Sequence, residues 1–145
     1  MNQVILLLST FIFGGIALAC PNLRGTYLCK QNSYHKDTKY TFSQKIVNYQ
    51  WQFTMAASTP ENTALSSFTF LTDNFQREIT DTVSGQKLLA TAKCEDDKLK
   101  VYGTAQIGEV AVNFSEDLSL NQGGDLINIS LDIYGNVVEE ICFRN

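Results

Sequence analysis

The amino-acid sequence predicts an all-β fold in which antiparallel strands follow one another in an up-and-down β-barrel of about eight to ten strands, with a β-sandwich as the alternative. Three observations support this. Apolar and polar residues alternate with a period of two in several stretches. Turn residues separate these stretches at regular intervals. No stretch beyond residue 20 keeps the 3.6-residue apolar period of an amphipathic helix.

Residues 1–19 have the pattern of a signal peptide. They contain no charged side chain, Val4 to Phe13 is almost wholly apolar, and Ala17-Leu18-Ala19 fits a signal-peptidase site. The run is shorter than the roughly 20 residues of a membrane-spanning helix. We therefore expect a single domain over residues 20–145, secreted or periplasmic after cleavage. The alternative is a lipoprotein anchored through Cys20, although Ala17 and Leu18 reverse the residue order of that signal.

The strands are predicted from individual runs. The run "YQWQFTM" alternates from Tyr49 to Met55, and "VAVNF" and "LKVYGTAQI" alternate in the same way. The run "LINISLDI" places these residues on one face: Ile127, Ile129, Leu131 and Ile133. Eight turn signals, among them "STPENT" and "NQGGD", divide the chain into nine extended runs. The short connections require antiparallel neighbours. Lys39 to Ala57 has no internal break and is the doubtful run.

The four cysteines, Cys20, Cys29, Cys94 and Cys142, form an even set that indicates two disulfides in an exported protein. Three pairings are possible, and we favour Cys20–Cys29 with Cys94–Cys142. The chain has no Cys-x-x-Cys motif and a single histidine, so a metal or redox site is not expected.

No catalytic constellation is evident in the sequence. His35 lies in the polar run "NSYHKDT", where we expect a solvated loop residue without a neighbouring nucleophile. The acidic pairs are Asp96-Asp97, Glu116-Asp117 and Glu139-Glu140. Adjacent residues on a strand face opposite ways, so we interpret these acids as solvated. We expect neither an enzyme nor a cofactor.

The charge distribution limits the partners. The net charge is −4 and the charges are interspersed, without a basic run. Nucleic acid is therefore not an expected partner. Gln, Lys, Asn and Asp occupy the strand faces opposite the aromatic residues, so stable membrane insertion is not expected either.

The stretch "LRGTYLC" and the last strand carry a family resemblance. Gly25-x-Tyr27 opens the first strand, and Arg144 stands near the end of the last. With a barrel of this size, the pattern resembles the calycin superfamily, which includes lipocalins, fatty-acid-binding proteins and avidin-like proteins. The resemblance implies that these three residues close the barrel where its first and last strands meet.

The aromatic residues suggest two functions. If the runs are strands, one face carries Tyr49, Trp51, Phe53, Phe68, Phe70 and Phe114. These side chains either fill a core, which we favour slightly, or line a lumen. Our leading hypothesis is that the barrel binds a small apolar ligand in its lumen through these residues. The alternative is a protein-interaction or inhibitor-like module with a filled core, acting through its loops, such as residues 31–38 or 58–64.

Overall fold

The computed structural model describes residues 20–30, 37–132 and 134–145. The predicted signal peptide, the segment 31–36 with His35, and Ile133 lie outside the described residues. Ten strands are present in the described chain: β1 (Gly25–Cys29), β2 (Thr38–Val47), β3 (Gln50–Ser58), β4 (Ala64–Leu71), β5 (Arg77–Thr80), β6 (Lys87–Glu95), β7 (Lys98–Ile107), β8 (Val110–Leu120), β9 (Leu126–Leu131) and β10 (Val137–Arg144).

The strands form one antiparallel sheet in the order β4-β3-β2-β1-β10-β9-β8-β7-β6-β5. Every pair of sequential neighbours except β4 and β5 is hydrogen-bonded, and β1 also pairs with β10, with Tyr27 opposite Arg144. The chain is thus a nearly closed up-and-down barrel, as the sequence predicts, and not a sandwich.

The doubtful run Lys39 to Ala57 is two strands, which gives an even number. β2 and β3 meet at a two-residue turn, Asn48-Tyr49, with φ values of 49° and 63°. Positive φ at both central residues is the geometry of a tight hairpin turn. Tyr49 therefore lies in the turn rather than in the strand.

The gap between β4 and β5 is closed by the start of the β5–β6 loop. The carboxylate of Asp81, 2% exposed, accepts hydrogen bonds from the backbone N–H of Ser67 in β4 at 2.7 Å, the N–H of Val83 at 2.9 Å and Ser84 Oγ at 2.6 Å. The N–H of Thr82 donates to the carbonyl of Ser67 at 3.0 Å. Side-chain and backbone bonds thus replace the missing strand pairing.

One end of the barrel, which we call the base, holds the β2–β3, β6–β7 and β8–β9 turns and the segment 20–24. Leu23 is fully buried there, and its N–H donates to Oε1 of Gln44 at 2.8 Å. The hydroxyl of Tyr27 donates to the carbonyl of Leu23 at 3.1 Å. This segment covers the base, and both the N–H and the carbonyl of its buried Leu23 are hydrogen-bonded.

The packed core contains residues from both halves of the chain. Its large fully buried side chains include Leu23, Tyr27, Phe53, Leu99 and Leu126. Tyr27 and Phe42 meet edge to face, with ring centroids 6.0 Å apart. Filled interiors of this kind are a normal outcome for small barrels.

The disulfides are Cys20–Cys94 and Cys29–Cys142, so the favoured pairing Cys20–Cys29 with Cys94–Cys142 is wrong. Because β1 pairs with β10, Cys29 stands directly opposite Cys142, with Cα atoms 4.1 Å apart. Cys94 lies on β6, which three strands separate from β10 in the sheet order, and it bonds instead to the segment that covers the base.

Candidate functional site

The end opposite the base, which we call the mouth, contains a cavity of about 430 Å³ between β2, β8, β9 and β10. We call this space the mouth cavity. It is lined by Tyr40, Phe114, Ser115, Glu116, Asn128, Ser130, Leu131, Asp132, Tyr134, Val138 and Glu140. Its volume lies in the range of small-molecule sites, roughly 300–1,000 Å³.

Strand alternation brings the polar side chains of the mouth cavity together. On β8, Glu116 lies two residues from the buried Leu118, and so shares its face. On β9, Asn128 lies two residues from the buried Leu126. On β10, Glu140 stands opposite Asn128 and two residues before the buried Cys142. Two carboxylates from different strands therefore converge with an amide.

Glu116 is the carboxylic acid of the mouth cavity whose pKa is raised. It is half-buried, and no residue of the described ranges forms an ion pair or hydrogen bond with its carboxylate. Burial and the neighbouring carboxylate of Glu140 raise the pKa of Glu116 to about 6. Burial, with Glu116 and Glu140 nearby, raises the pKa of Tyr40 to about 12. The carboxylate of Glu140 thus lies close enough to Glu116 to oppose its ionisation.

Asn128 contributes an unsatisfied acceptor. Its Oδ1 is shielded from solvent and is the one buried side-chain polar atom without a partner within the described ranges. Buried polar atoms are nearly always hydrogen-bonded, so an unpartnered acceptor on a cavity wall indicates a missing donor.

Asp132, at the rim, differs from Glu116 because its carboxylate is already bonded. It accepts hydrogen bonds from Nδ2 of Asn136 at 2.9 Å and from the backbone N–H groups of Asn136 and Tyr134, both at 2.8 Å. The pKa of Asp132 is lowered, chiefly by the hydrogen bond from the Asn136 side chain. This carboxylate holds the β9–β10 turn.

Two other hollows have fewer polar groups without partners on their walls. One of about 560 Å³ lies beside Cys20 and Cys94 at the base, and the charges on its wall are paired, Asp73 with Arg77 and Lys93 with Glu95. The other, of about 400 Å³, follows the gap between β4 and β5. The mouth cavity is therefore the strongest candidate site.

The structure separates the six aromatic residues that were predicted to line a lumen. Phe114 lines the mouth cavity. Phe53 and Phe70 are buried in the packed core, and the half-buried Phe68 packs against it. Trp51 is half-buried and faces the hollow at the base. The predicted inward position of Tyr49 is wrong, because this residue is in the β2–β3 turn and fully exposed.

The predicted closure residues do come together. An added Cβ on Gly25 would lie 3.4 Å from Nε of Arg144 and 3.5 Å from the hydroxyl of Tyr27. Gly25 has a φ of 145°, which side-chain-bearing residues rarely adopt. Nη2 of Arg144 donates to the carbonyl of Arg24 at 3.2 Å. The guanidinium thus joins the last strand to the start of the first.

Glu116 and Glu140 were not predicted as site residues, because in the sequence each stands out only as a member of an adjacent acidic pair. A signal was present: the alternation of "VAVNF" continues through Leu118 to Leu120, which puts Glu116 on the same face as Phe114. The interpretation of "LINISLDI" also did not say which face is internal. The barrel turns Asn128 and Ser130 inward, and Ile127 and Ile129 lie on the opposite face.

One group of three possible metal ligands occurs in the described ranges, Cys29, Glu140 and Cys142. The two sulfurs form a disulfide and are not thiolates, so this group lacks two of its three ligands. No helix in the described part of the chain is long and apolar enough to cross a membrane. The chain is thus a disulfide-linked antiparallel barrel with an acidic cavity at one end. Comparison with protein families, curated proteins and solved structures finds no match.

Proposed function

We propose that this protein is a non-enzymatic β-barrel that binds a small ligand with an apolar body in the mouth cavity. The observation that carries the proposal is the composition of the cavity wall. Phe114, Val138 and Leu131 give it an apolar side, while Glu116 and Asn128 add polar atoms without partners in the described chain. Pockets that bind small molecules combine apolar walls with a few orienting polar groups.

The proposal moves the ligand from the whole lumen to the mouth. The packed core fills the interior with side chains such as Phe53 and Phe70, which leaves no room for a ligand among them. The mouth cavity is bounded by this core below and by the β9–β10 turn above. A ligand of modest size would fit with one end against the core.

Absence of catalysis remains part of the proposal. The cysteines of the described residues are all oxidised, so none of them offers a thiol to Glu116 or Glu140 in the mouth cavity. The raised pKa of Glu116 suits charge recognition as well as proton transfer. Binding is the simpler role, because it needs no activated nucleophile beside the acid.

An exported location and a calycin-like relationship complete the proposal. Two disulfides are typical of an oxidising compartment. The sulfur of Cys20 is bonded to Cys94, whereas a lipidated cysteine has no thiol to offer, so the disulfide counts against the lipoprotein alternative. The contact of Gly25, Tyr27 and Arg144 supports the calycin-like relationship.

The test is an NMR titration of ¹⁵N-labelled protein with 2-phenylethanol, an uncharged aromatic probe. We expect amide shifts at the mouth, around Phe114 and Ser130, and none around the buried Leu99. Val138→Trp would fill the cavity and abolish the shifts. Val137→Trp is the matched control, because Val137 is 71% exposed. Shifts that persist in Val138→Trp would refute the proposed site.

A second candidate function is protein interaction, favoured by one observation. Val137, Ile141 and Phe143 on β10 are 71%, 46% and 54% exposed on the outer face. Contiguous exposed apolar side chains often mark interaction surfaces. This function predicts that Phe143→Ser abolishes capture of a protein partner from the exported fraction without changing the titration at the mouth. Unchanged capture would contradict it.

A further inference from the structure

We infer that the ligand of the mouth cavity carries a positive charge, with an amine nitrogen held between the carboxylate of Glu116 and Oδ1 of Asn128. This inference rests on the proposed function, and it specifies the chemical class of the ligand as an amine with an apolar or aromatic body.

The ionisable side chains of the mouth cavity favour a cation. Every ionisable side chain that lines the mouth cavity is an acid: Tyr40, Glu116, Asp132, Tyr134 and Glu140. No lysine or arginine of the described chain lines it. A buried carboxylate is costly unless a cation or hydrogen-bond donors satisfy it. A cationic ligand would supply that partner to Glu116.

The second argument is hydrogen bonding. The ionised carboxylate of Glu116 accepts hydrogen bonds and cannot donate one, and the same holds for Oδ1 of Asn128. The hydroxyl of Ser130 can accept as well. An alkylammonium group has three donors and no acceptor. It therefore matches the acceptors of this wall, whereas a carboxylate ligand would meet repulsion and an alcohol would offer one donor.

The aromatic residues of the mouth cavity also favour an amine with an apolar body. Phe114, Tyr40 and Tyr134 bring aromatic rings to the same cavity. Aromatic faces attract cations and also pack against an apolar body. A bare metal ion would use neither feature. Calcium also needs six to eight oxygen ligands, and no cluster of three carboxylates is present in the described residues.

The experiment is isothermal titration calorimetry of the full barrel with three probes of similar size: 2-phenylethylamine, 2-phenylethanol and 3-phenylpropanoate. At pH 7.5 we expect the amine to bind about tenfold more tightly than the alcohol, and the anion to bind most weakly. At pH 5, protonation of Glu116 should weaken the amine about tenfold, since its pKa is about 6, and leave the alcohol unchanged. Tyr40 and Glu140 face the same space, and Asp132 lies at its rim.

Two variants locate the effect. Glu116→Gln should remove the preference for the amine and keep the alcohol within about twofold. Glu139→Gln removes the same charge from the exposed face of β10 and should change neither affinity. Melting temperatures confirm that both variants fold.

The outcomes distinguish the inference from the function beneath it. Equal binding of amine and alcohol to the unaltered protein would overturn the charge inference and leave a small-ligand barrel. Absence of binding by all three probes would overturn both. Equal losses in Glu116→Gln and Glu139→Gln would show a diffuse charge effect and overturn the assigned residue. Displacement of the amine by calcium chloride would overturn the inference of an amine ligand in favour of a metal site.

Discussion

Removing the disulfides one at a time tests the connectivity and its energetic role. The bridges close loops with sequence separations of 74 and 113 residues. They overlap, so either bridge shortens the loop closed by the other to about 57 residues of chain. The loop-entropy relation then gives about 4 kcal/mol for losing either bridge alone. A domain of this size has a total stability of about 5–15 kcal/mol, so each single-bridge variant should remain folded but weakened.

Two double variants with the same number of cysteines make the comparison. Cys20→Ala/Cys94→Ala removes one bridge, should cost about 4 kcal/mol in urea unfolding, and should leave no free thiol in denaturant. Cys20→Ala/Cys29→Ala breaks both bridges and should leave two free thiols, with a loss of about 8 kcal/mol or outright unfolding. Two thiols in the first variant and none in the second would refute the connectivity.

Three further predictions concern stability, each measured by urea unfolding. Gly103→Ala should lose about 2 kcal/mol or more, because the new Cβ would lie 2.0 Å from the carbonyl oxygen of Leu89; no loss would mean that the strands separate easily. Asp81→Ala should cost about 1–3 kcal/mol, since it leaves the partly buried N–H of Ser67 unpaired, and Asp81→Asn should cost less. Burial opposes ionisation of Asp81, but its hydrogen bonds outweigh this and lower the pKa. Its contribution is therefore present above the ordinary pKa of 3.8 and lost as pH falls below it, so equal effects of Asp81→Ala at pH 7 and pH 2 would contradict the assignment. Glu116→Gln should stabilise the free protein at pH 8 by up to about 2 kcal/mol and have little effect at pH 4. The reason is that folding raises the pKa of Glu116, so the stability of the unaltered protein falls as pH rises from 4.5 through about 6. Stabilisation at pH 4 alone would contradict this.

The barrel itself was predictable because strand alternation and turn chemistry are local. Short connections fix antiparallel neighbours without knowledge of the tertiary fold. The exact number of strands was not predictable, since Asn48-Tyr49 forms a tight turn without the glycine that usually marks one. An unbroken run of alternating residues therefore concealed a hairpin.

The disulfide pairing could not be read from the sequence because it depends on which strands meet across the closed sheet. Cys29 finds Cys142 only because the first and last strands pair. The resemblance at Gly25, Tyr27 and Arg144 implied that these two strands meet, but it did not give the register that places the two cysteines opposite each other.

The mouth cavity was the hardest feature to predict. A period of two separates the two faces of a strand but does not say which face is internal. On β9 the alternation separates Ile127 and Ile129 from Asn128 and Ser130, and only the closed barrel shows that Asn128 and Ser130 line the cavity. Only the whole barrel shows that polar residues of three strands converge there.

Native mass spectrometry of the protein purified from the compartment to which we propose it is exported tests the central claim most directly, that the barrel carries a small molecule at its mouth. We predict a chain that begins at Cys20, four hydrogens lighter than the reduced form, with a small-molecule adduct that Val138→Trp loses and Val137→Trp keeps. A chain without an adduct, or an adduct that survives in Val138→Trp, would contradict the account.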